Sequence, residues 1–183
     1  GLQYTYHNAK NAETFGIELD MKKSLDFIGL RGLSLVCNAA YIHSRVRFEE
    51  GAPERDRPLA GQSPYLVNAG LFYQHDDKGI SASLLYNRIG KRIESVGVPM
   101  QDQNEDIPDI YEMPRNSLDL TFSKKIGKAV EIKAGIQDML NSKIEYKQFV
   151  KLTDQNGGKR EREQLVRSYR PGVDINVGVS LKF

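Results

Sequence analysis

The sequence has a single cysteine and three histidines, and these scarcities exclude several kinds of site. With only Cys37, the chain can form no internal disulfide and no metal site built from several cysteines. His7, His43 and His75 lie far apart and lack the spacing of metal ligands, so we interpret them as scattered surface histidines. No Ser-His-Asp set, nucleotide-binding loop or reactive-cysteine setting is present either. We therefore expect no catalytic residue, no metal and no cofactor.

The sequence also lacks long hydrophobic runs and an excess of one charge. No segment approaches 18 consecutive apolar residues, so there is no candidate transmembrane helix. A membrane barrel remains possible because its strands alternate and are polar on average, which suits the 39% hydrophobic content and the mean hydropathy of −0.51. The formal net charge is +2 over 183 residues, with both signs mixed along the chain. No nucleic-acid partner is expected from such a distribution.

The end of the chain alternates strictly between apolar and polar residues. From Val173 to Phe183 the odd positions are apolar and the even positions are polar or glycine. A strand repeats its side-chain direction every two residues, so this segment predicts a strand with one apolar and one polar face. Strands that close bacterial outer-membrane barrels commonly finish in this way, on an aromatic residue at the membrane interface.

The same period of two recurs along the chain, and no helix is predicted. Leu2, Tyr4 and Tyr6 form either the remainder of a further strand or an extension of the first one. Seven strands are predicted, at Phe15–Lys22, Leu33–Tyr41, Tyr65–Gln74, Ile80–Lys91, Leu118–Lys125, Val130–Gln137 and Val173–Phe183.

Short and long connections alternate between these strands. The short ones are Asp26–Arg31, His75–Gly79 and Gly127-Lys128. The long ones are Phe48–Pro64, Glu94–Pro114 and Ser142–Arg167, the last with a predicted hairpin around Asn156-Gly157-Gly158. Tight periplasmic turns and long outer loops alternate in this way in transmembrane barrels. We therefore expect Glu94–Pro114 and Ser142–Arg167 to lie outside the cell.

Two other interpretations of the pattern stay open. A soluble antiparallel β-sandwich also alternates, with its apolar face in the core, and a small eight-stranded barrel would act without transport. The predicted strands are longer than the usual length of about 5–6 residues, and tyrosines near strand ends are typical of an aromatic girdle. Both features favour the membrane barrel.

On the barrel interpretation, each strand has a lipid-facing and a lumen-facing side. Cys37 is then a small lipid-facing residue. We expect the lipid-facing set to include Phe15, Leu19, Leu120, Ile132 and Val177. The lumen-facing candidates are Glu18, Asp20, Asp119, Glu131, Lys133 and Asn176.

Two charge clusters are candidate binding sites. The acidic cluster could bind a cation through carboxylates, but a solvated loop is the favoured interpretation; it comprises Asp102, Glu105, Asp106, Asp109 and Glu112. The basic cluster lies near the outer ends of neighbouring strands and is expected to pair with loop carboxylates; it comprises Arg88, Lys91, Arg92 and Arg115.

Several segments resemble a known family, in the same order along nearly the whole chain. Arg57–Leu71, Leu84–Ile93 and Ile107–Asn116 resemble the C-terminal barrel region of TonB-dependent outer-membrane receptors. Asn11–Ser24 and Asp138-Met-Leu-Asn141 fit the same pattern. The forms typical of Bacteroidota match best, both the SusC-like ones and those that carry a carboxypeptidase-regulatory domain.

The resemblance implies a transporter in the bacterial outer membrane that takes up a metal chelate, glycan or peptide. It implies a barrel of about 22 strands with an N-terminal plug, for which about 570 residues are needed at roughly 26 residues per strand. Residues 1–183 would then be the C-terminal portion, without plug, first strands or signal sequence. Implied partners are outer-membrane lipid, the rest of the barrel and its plug, the TonB energy-transducing complex and a SusD-like surface lipoprotein. Phe183 would act as the signal for the barrel-assembly machinery.

Overall fold

The protein is an all-β chain in a computed structural model that describes residues 8–98, 107–153 and 159–182. The one helical segment of the described residues is a 3-10 turn at Asp26–Ile28, and none of their helices has the length and apolar character to cross a membrane. The strands are β1 (Asn11–Ser24), β2 (Leu33–Arg47), β3 (Tyr65–His75), β4 (Ile80–Ile89), β5 (Arg92–Ser95), β6 (Ile110–Glu112), β7 (Arg115–Ile126), β8 (Val130–Gln137), β9 (Ile144–Thr153), β10 (Lys159–Tyr169) and β11 (Asp174–Leu181).

Seven of these strands form one antiparallel sheet, which we call the lower sheet. Its order is β1-β2-β3-β4-β7-β8-β11. Each predicted strand corresponds to one of these seven, and the last strand, β11, pairs with β8. Every neighbouring pair is antiparallel, as expected for strands joined mostly by hairpins. The predictions for Leu2, Tyr4, Tyr6 and Phe183 lie outside the described residues.

The three short turns all lie at one end of the lower sheet, which we call the lower end. They join β1 to β2, β3 to β4 and β7 to β8, and β11 also ends there. In the first turn, Gly32 has a φ of +76°, and a Cβ at this position would clash with the carbonyl oxygen of Gln74 on β3. Glycine is therefore required where the chain enters β2. The long connections lie at the opposite, upper end.

The long connections contain a second sheet that the sequence analysis did not predict. This upper sheet has the order β10-β9-β6-β5. Strand β5 follows β4, β6 precedes β7, β9 follows β8 and β10 precedes β11, so its order repeats that of the four lower strands. The expected loops at Glu94–Pro114 and Ser142–Arg167 are thus partly strand. The hairpin expected within the second one is confirmed as β9 and β10, while its predicted turn lies outside the described residues.

The buried apolar side chains lie toward the upper end of the molecule, on β2, β5 and β9. Among the described residues, the buried apolar side chains are Val46, Ile93 and Ile144, and Ile93 is only 2% exposed. The chain exposes 13632 Å² in all, whereas a folded monomer of its 20.7 kDa mass would expose about 8,900 Å². The lower sheet therefore has no core of its own on either face.

The lower sheet is open on both sides. In the described part of the chain, β1 pairs only with β2 and β11 pairs only with β8. Because direction alternates across seven antiparallel strands, β1 and β11 run parallel to each other. They cannot pair with each other in the antiparallel manner of the rest of the sheet.

Candidate functional site: the two faces of the lower sheet

One face of the lower sheet is a continuous apolar surface, and we call it the apolar face. Its strands are aligned so that apolar residues stand side by side. One row crosses six strands, at Leu35, Leu71, Leu84, Leu120, Ile136 and Ile175. The next row is Leu33, Tyr73, Ala82, Phe122, Ala134 and Val177.

All five residues predicted to face lipid lie on the apolar face, and Cys37 lies there too. The pairing partners of Cys37 are Met21 on one side and Ala69 on the other. Side chains of the two outer strands are the most exposed: Ile17 is 77% exposed and Val177 72%. Monomeric soluble proteins rarely expose contiguous apolar surfaces beyond a few hundred Å², and larger ones usually mark contact with a protein or a membrane.

Polar and tyrosine side chains mark the upper boundary of the apolar face. Arg88 donates from Nη1 to Asn116 Oδ1 at 2.7 Å and from Nε to the Tyr65 hydroxyl at 3.3 Å. The Tyr86 hydroxyl donates to the same Asn116 oxygen at 2.8 Å. At the lower boundary, Lys124 directs its ammonium to the carbonyl oxygen of Lys78 in the adjacent turn. The apolar surface thus forms a belt between two polar rims.

The opposite face, the polar face, contains all six residues predicted to face a lumen. Glu18 and Asp20 both accept hydrogen bonds from Asn38 Nδ2, at 2.8 and 2.6 Å. Glu131 pairs with Lys133 at 3.3 Å, and Asp119 accepts a hydrogen bond from the Asp138 backbone N–H at 2.8 Å. Asn176 stands opposite Gly135. The structure therefore places these residues on one face but in separate groups, not in a single site.

A chain of side-chain amides crosses the polar face and was not anticipated from the sequence. We call it the carboxamide chain: Asn87 donates to Asn68 at 2.5 Å, Asn68 donates to Asn38 at 3.3 Å, and Asn38 donates to Asp20. It spans four strands in a single register row. Each asparagine lies on a predicted polar face, but their alignment depends on the register of three strand pairs. The carboxamide chain could be predicted only if the register of those strand pairs were known.

Hydroxyl pairs continue the polar face toward the lower end. The hydroxyls of Ser83 and Thr121 lie 2.6 Å apart, and those of Ser81 and Ser123 lie 2.8 Å apart. The face also contains apolar side chains, including Phe72 and Leu85, each 38% exposed. This mixed surface can hydrogen-bond water or a polar partner, and the apolar face cannot.

Asp138 sits at the junction of the two sheets. It follows directly after β8 with a φ of +52°, and its Oδ2 accepts a hydrogen bond from Arg115 at 3.2 Å. Its Oδ1 is buried and has no partner among the described residues. Three residues on, the Asn141 side chain accepts a hydrogen bond from the Gly172 N–H at 3.1 Å. These turn residues hold the entry to β9 against the entry to β11.

The basic cluster is split between ion pairs and aromatic contacts. Pairing with carboxylates is confirmed for Arg92, which bonds Glu112 at 2.7 Å, and for Arg115, which bonds Asp138. The Lys91 ammonium instead lies 4.6 Å from the centre of the Tyr111 ring and 4.5 Å from that of Phe149. Cation–π contacts of this kind are stabilising and need no carboxylate.

Partial burial and nearby carboxylates shift the pKa values of two side chains in the upper sheet, Tyr111 and Lys147. Burial, and then the Asp109 carboxylate, raise the pKa of Tyr111. Hydrogen bonds to Glu163 and Glu145 raise the pKa of Lys147, whose ammonium lies 2.6 Å from Glu163. Both effects keep these groups in their ordinary neutral-pH charge states.

The part of the acidic cluster that is described is engaged within the protein. Asp109 accepts the Gly97 N–H at 2.7 Å, and Glu112 pairs with Arg92. The other three members lie outside the described residues, as does His7. His43 stacks against Phe15, and His75 accepts from the Lys78 N–H. Within the described ranges, no three potential ligands come together to hold a metal ion.

Comparison with known protein families, with curated proteins and with solved structures finds no match to this chain.

Proposed function

We propose that the chain is part of an outer-membrane β-barrel, and that this barrel is the translocation domain of a TonB-dependent transporter for a metal chelate, glycan or peptide. Two kinds of support carry the proposal. The belt of exposed apolar side chains on the lower sheet supports membrane insertion. The transporter assignment rests on the resemblance of the segments from Asn11 to Asn141.

The height of the belt fits a bilayer. On β7, Asn116 at the upper rim and Lys124 at the lower rim are eight positions apart, which is about 27 Å along a strand. At the tilt of about 40° usual in such barrels, this spans about 20 Å across the membrane, close to the apolar band of about 25 Å. Arginine and tyrosine lie at one rim and lysine at the other, and these side chains favour membrane interfaces.

The open edges support a larger barrel over a seven-stranded one. In lipid, each backbone group without a partner costs several kcal/mol, so open edges are not tolerated there. Since β1 and β11 run parallel, closure with antiparallel neighbours requires an odd number of further strands. Two copies in the same orientation would meet through parallel pairs of β1 with β11. We therefore assign the missing strands to the remainder of the same barrel.

The remaining assignments follow from this orientation. The polar face lines the lumen, where its carboxylates and the carboxamide chain contact water, the plug and the passing solute. The upper sheet stands above the membrane, outside the cell, and the three tight turns lie in the periplasm. The energy-transducing complex, a SusD-like lipoprotein and the assembly machinery that reads Phe183 remain partners implied by the resemblance.

Leu120 offers the test because it lies on the apolar face, four positions from each rim. We expect Leu120→Arg to destabilise the inserted protein by about 2–4 kcal/mol, the penalty for arginine at the bilayer midplane. Asp119→Asn, one residue away on the polar face, is the matched control and should be mild. Unfolding by denaturant in lipid vesicles measures both.

A second measurement separates the membrane barrel from a soluble module. Spin labels at Leu19 and Val177 should be accessible to a lipid-soluble quencher, and labels at Glu18 and Asn176 to a water-soluble one. Equal accessibility of both sets would refute the orientation. If residues 1–183 purify without detergent as a cooperatively folding monomer, the β-sandwich takes the place of the barrel.

A further inference from the structure

Arg88 differs from its arginine neighbours at the upper end of the lower sheet. Arg45, Arg92 and Arg115 each bond a carboxylate, of Asp56, Glu112 and Asp138 respectively. Among the described residues, Arg88 contacts the Tyr65 hydroxyl and ring, the Asn116 oxygen and the Tyr86 side chain, none of which is a carboxylate. Its positive charge therefore has no protein counterion in that part of the chain.

The contacts of Arg88 hold the guanidinium in place but leave donors free. Its Nε and Nη1 donate to Tyr65 and Asn116. The Nη2 amino group has no hydrogen bond to a described residue, so it remains available to an acceptor. Asn116 Oδ1 receives two hydrogen bonds, from Arg88 and Tyr86, which turns its amide oxygen toward them. The Nδ2 amino group of Asn116 is thus a further available donor beside the arginine.

The position of Arg88 restricts what the counterion can be. Arg88 pairs across the sheet with Val67 and Asn116, and Tyr86 and Leu118 stand in the next row of the apolar face. On the membrane-inserted barrel proposed above, this is the depth of lipid headgroups. A planar guanidinium with free donors binds phosphate oxygens well.

We propose that Arg88 and Asn116 form a binding site for the phosphate group of an anionic membrane lipid, whose acyl chains lie along the apolar face below them. The inference rests on the proposed membrane insertion. Tyr65 and Tyr86 act as positioning residues, since their hydroxyls bond the guanidinium and the amide that would contact the phosphate.

Lipid competition around a reporter beside Arg88 tests the site. Cys37→Ser removes the native thiol, and Val67→Cys provides a single thiol that carries the fluorophore. The folded barrel with both substitutions is placed in vesicles that contain phosphatidylcholine and phosphatidylglycerol. Either lipid is brominated near its headgroup so that it quenches the fluorophore on contact. We expect phosphatidylglycerol to be preferred about fivefold, the effect of one cationic side chain at an anionic surface.

Arg88→Gln should bring that preference close to one. Lys124→Gln is the matched control: it removes one positive charge at the opposite rim and should leave the preference unchanged. Quenching by brominated phosphatidylcholine alone confirms that each variant is inserted. Inorganic phosphate should not compete, and a preference that it abolishes would identify a free-anion site and overturn the lipid assignment.

The other outcomes separate the two proposals. If both lipids quench equally in the unmodified and Arg88→Gln proteins, the barrel stands and the phosphate site is refuted. If the control loses the preference as well, the effect is general electrostatics and the site is again refuted. If neither lipid quenches the reporter, Val67 does not face lipid, and the membrane proposal itself fails.

Discussion

The lower and upper sheets differ in whether their apolar side chains are buried within the protein. In the upper sheet, Ile93 and Ile144 are buried, and nearby charges are paired or stacked on aromatic rings. In the lower sheet, Ile17 and Val177 project from the face although the backbone pairing beneath them is regular. The four C-terminal lower strands run directly into the upper sheet, so one set of strands passes from one arrangement to the other.

On the proposed membrane barrel, this contrast corresponds to a change from lipid to water along the strands. A sheet in water must cover one face to offset the entropy of ordering its residues. The upper sheet meets this need with side chains of its own. The Phe48–Pro64 connection is held against it by the Gly61 N–H, which donates to the carbonyl oxygen of Ile93 at 2.8 Å. The lower sheet meets it only if lipid or protein covers its apolar face.

The largest expected effect comes from truncating an isoleucine in each sheet. Ile93→Ala should cost about 2–5 kcal/mol, because it combines lost transfer energy with a cavity that the upper sheet cannot refill. Ile17→Ala should cost less, about 1–2 kcal/mol, since fluid acyl chains fill the space and only the transfer term remains. Denaturant unfolding in vesicles measures both losses. Equal losses would mean that Ile17 is covered by rigid protein, which would contradict the contrast between the sheets.

The lower sheet was predictable from the sequence because its signal is local. Each strand has a period of two, and turns such as Asp76–Gly79 carry their own chemistry. The register is then restricted by the short turns, so the face of Leu120 or Asp119 follows from sequence parity alone. The grouping of these residues on two faces is confirmed for this reason, while the assignment of the faces to lipid and lumen stays a prediction.

The upper sheet was not predictable on the same basis. Strands β5 and β6 have four and three residues, too few to show a period. Strand β10 begins with Lys159-Arg-Glu-Arg-Glu163, in which both faces are charged, and a bulge interrupts its pairing between Leu165 and Arg167. These strands form because β4, β7, β8 and β11 continue beyond the lower sheet and bring the following segments side by side. Pairing that depends on neighbouring strands in this way gives no alternating pattern in the sequence of each segment.

A smaller effect is expected from breaking the carboxamide chain. Asn68→Ala removes one hydrogen bond to Asn38 and one from Asn87, and water can replace part of both on this half-buried face. We expect a loss of about 1 kcal/mol. Ser83→Ala, which removes the more exposed bond to Thr121, is the control and should cost only a few tenths. The same unfolding assay measures both, and a loss at Asn68 no larger than that at Ser83 would show that the chain contributes nothing beyond ordinary solvation.

The smallest expected effect lies in the first tight turn, at the end of the lower sheet farthest from the upper one. Hydrogen bonds from Ser24 and from the Gly32 N–H lower the pKa of the Asp26 carboxyl. The Gly32 nitrogen lies 2.9 Å from Asp26 Oδ1. A carboxyl whose pKa is lowered on folding stabilises the fold above its unfolded value, about 3.9, and loses that contribution as the pH falls through the lower folded value. The turn should therefore weaken only below about pH 4.

In NMR spectra of the detergent-solubilised protein, the Gly32 amide shift should titrate with a midpoint below 3.9, and Asp26→Asn should abolish that titration. A midpoint at or above 3.9 would show that the carboxylate does not hold this turn, and the entry to β2 would then depend on Gly32 alone.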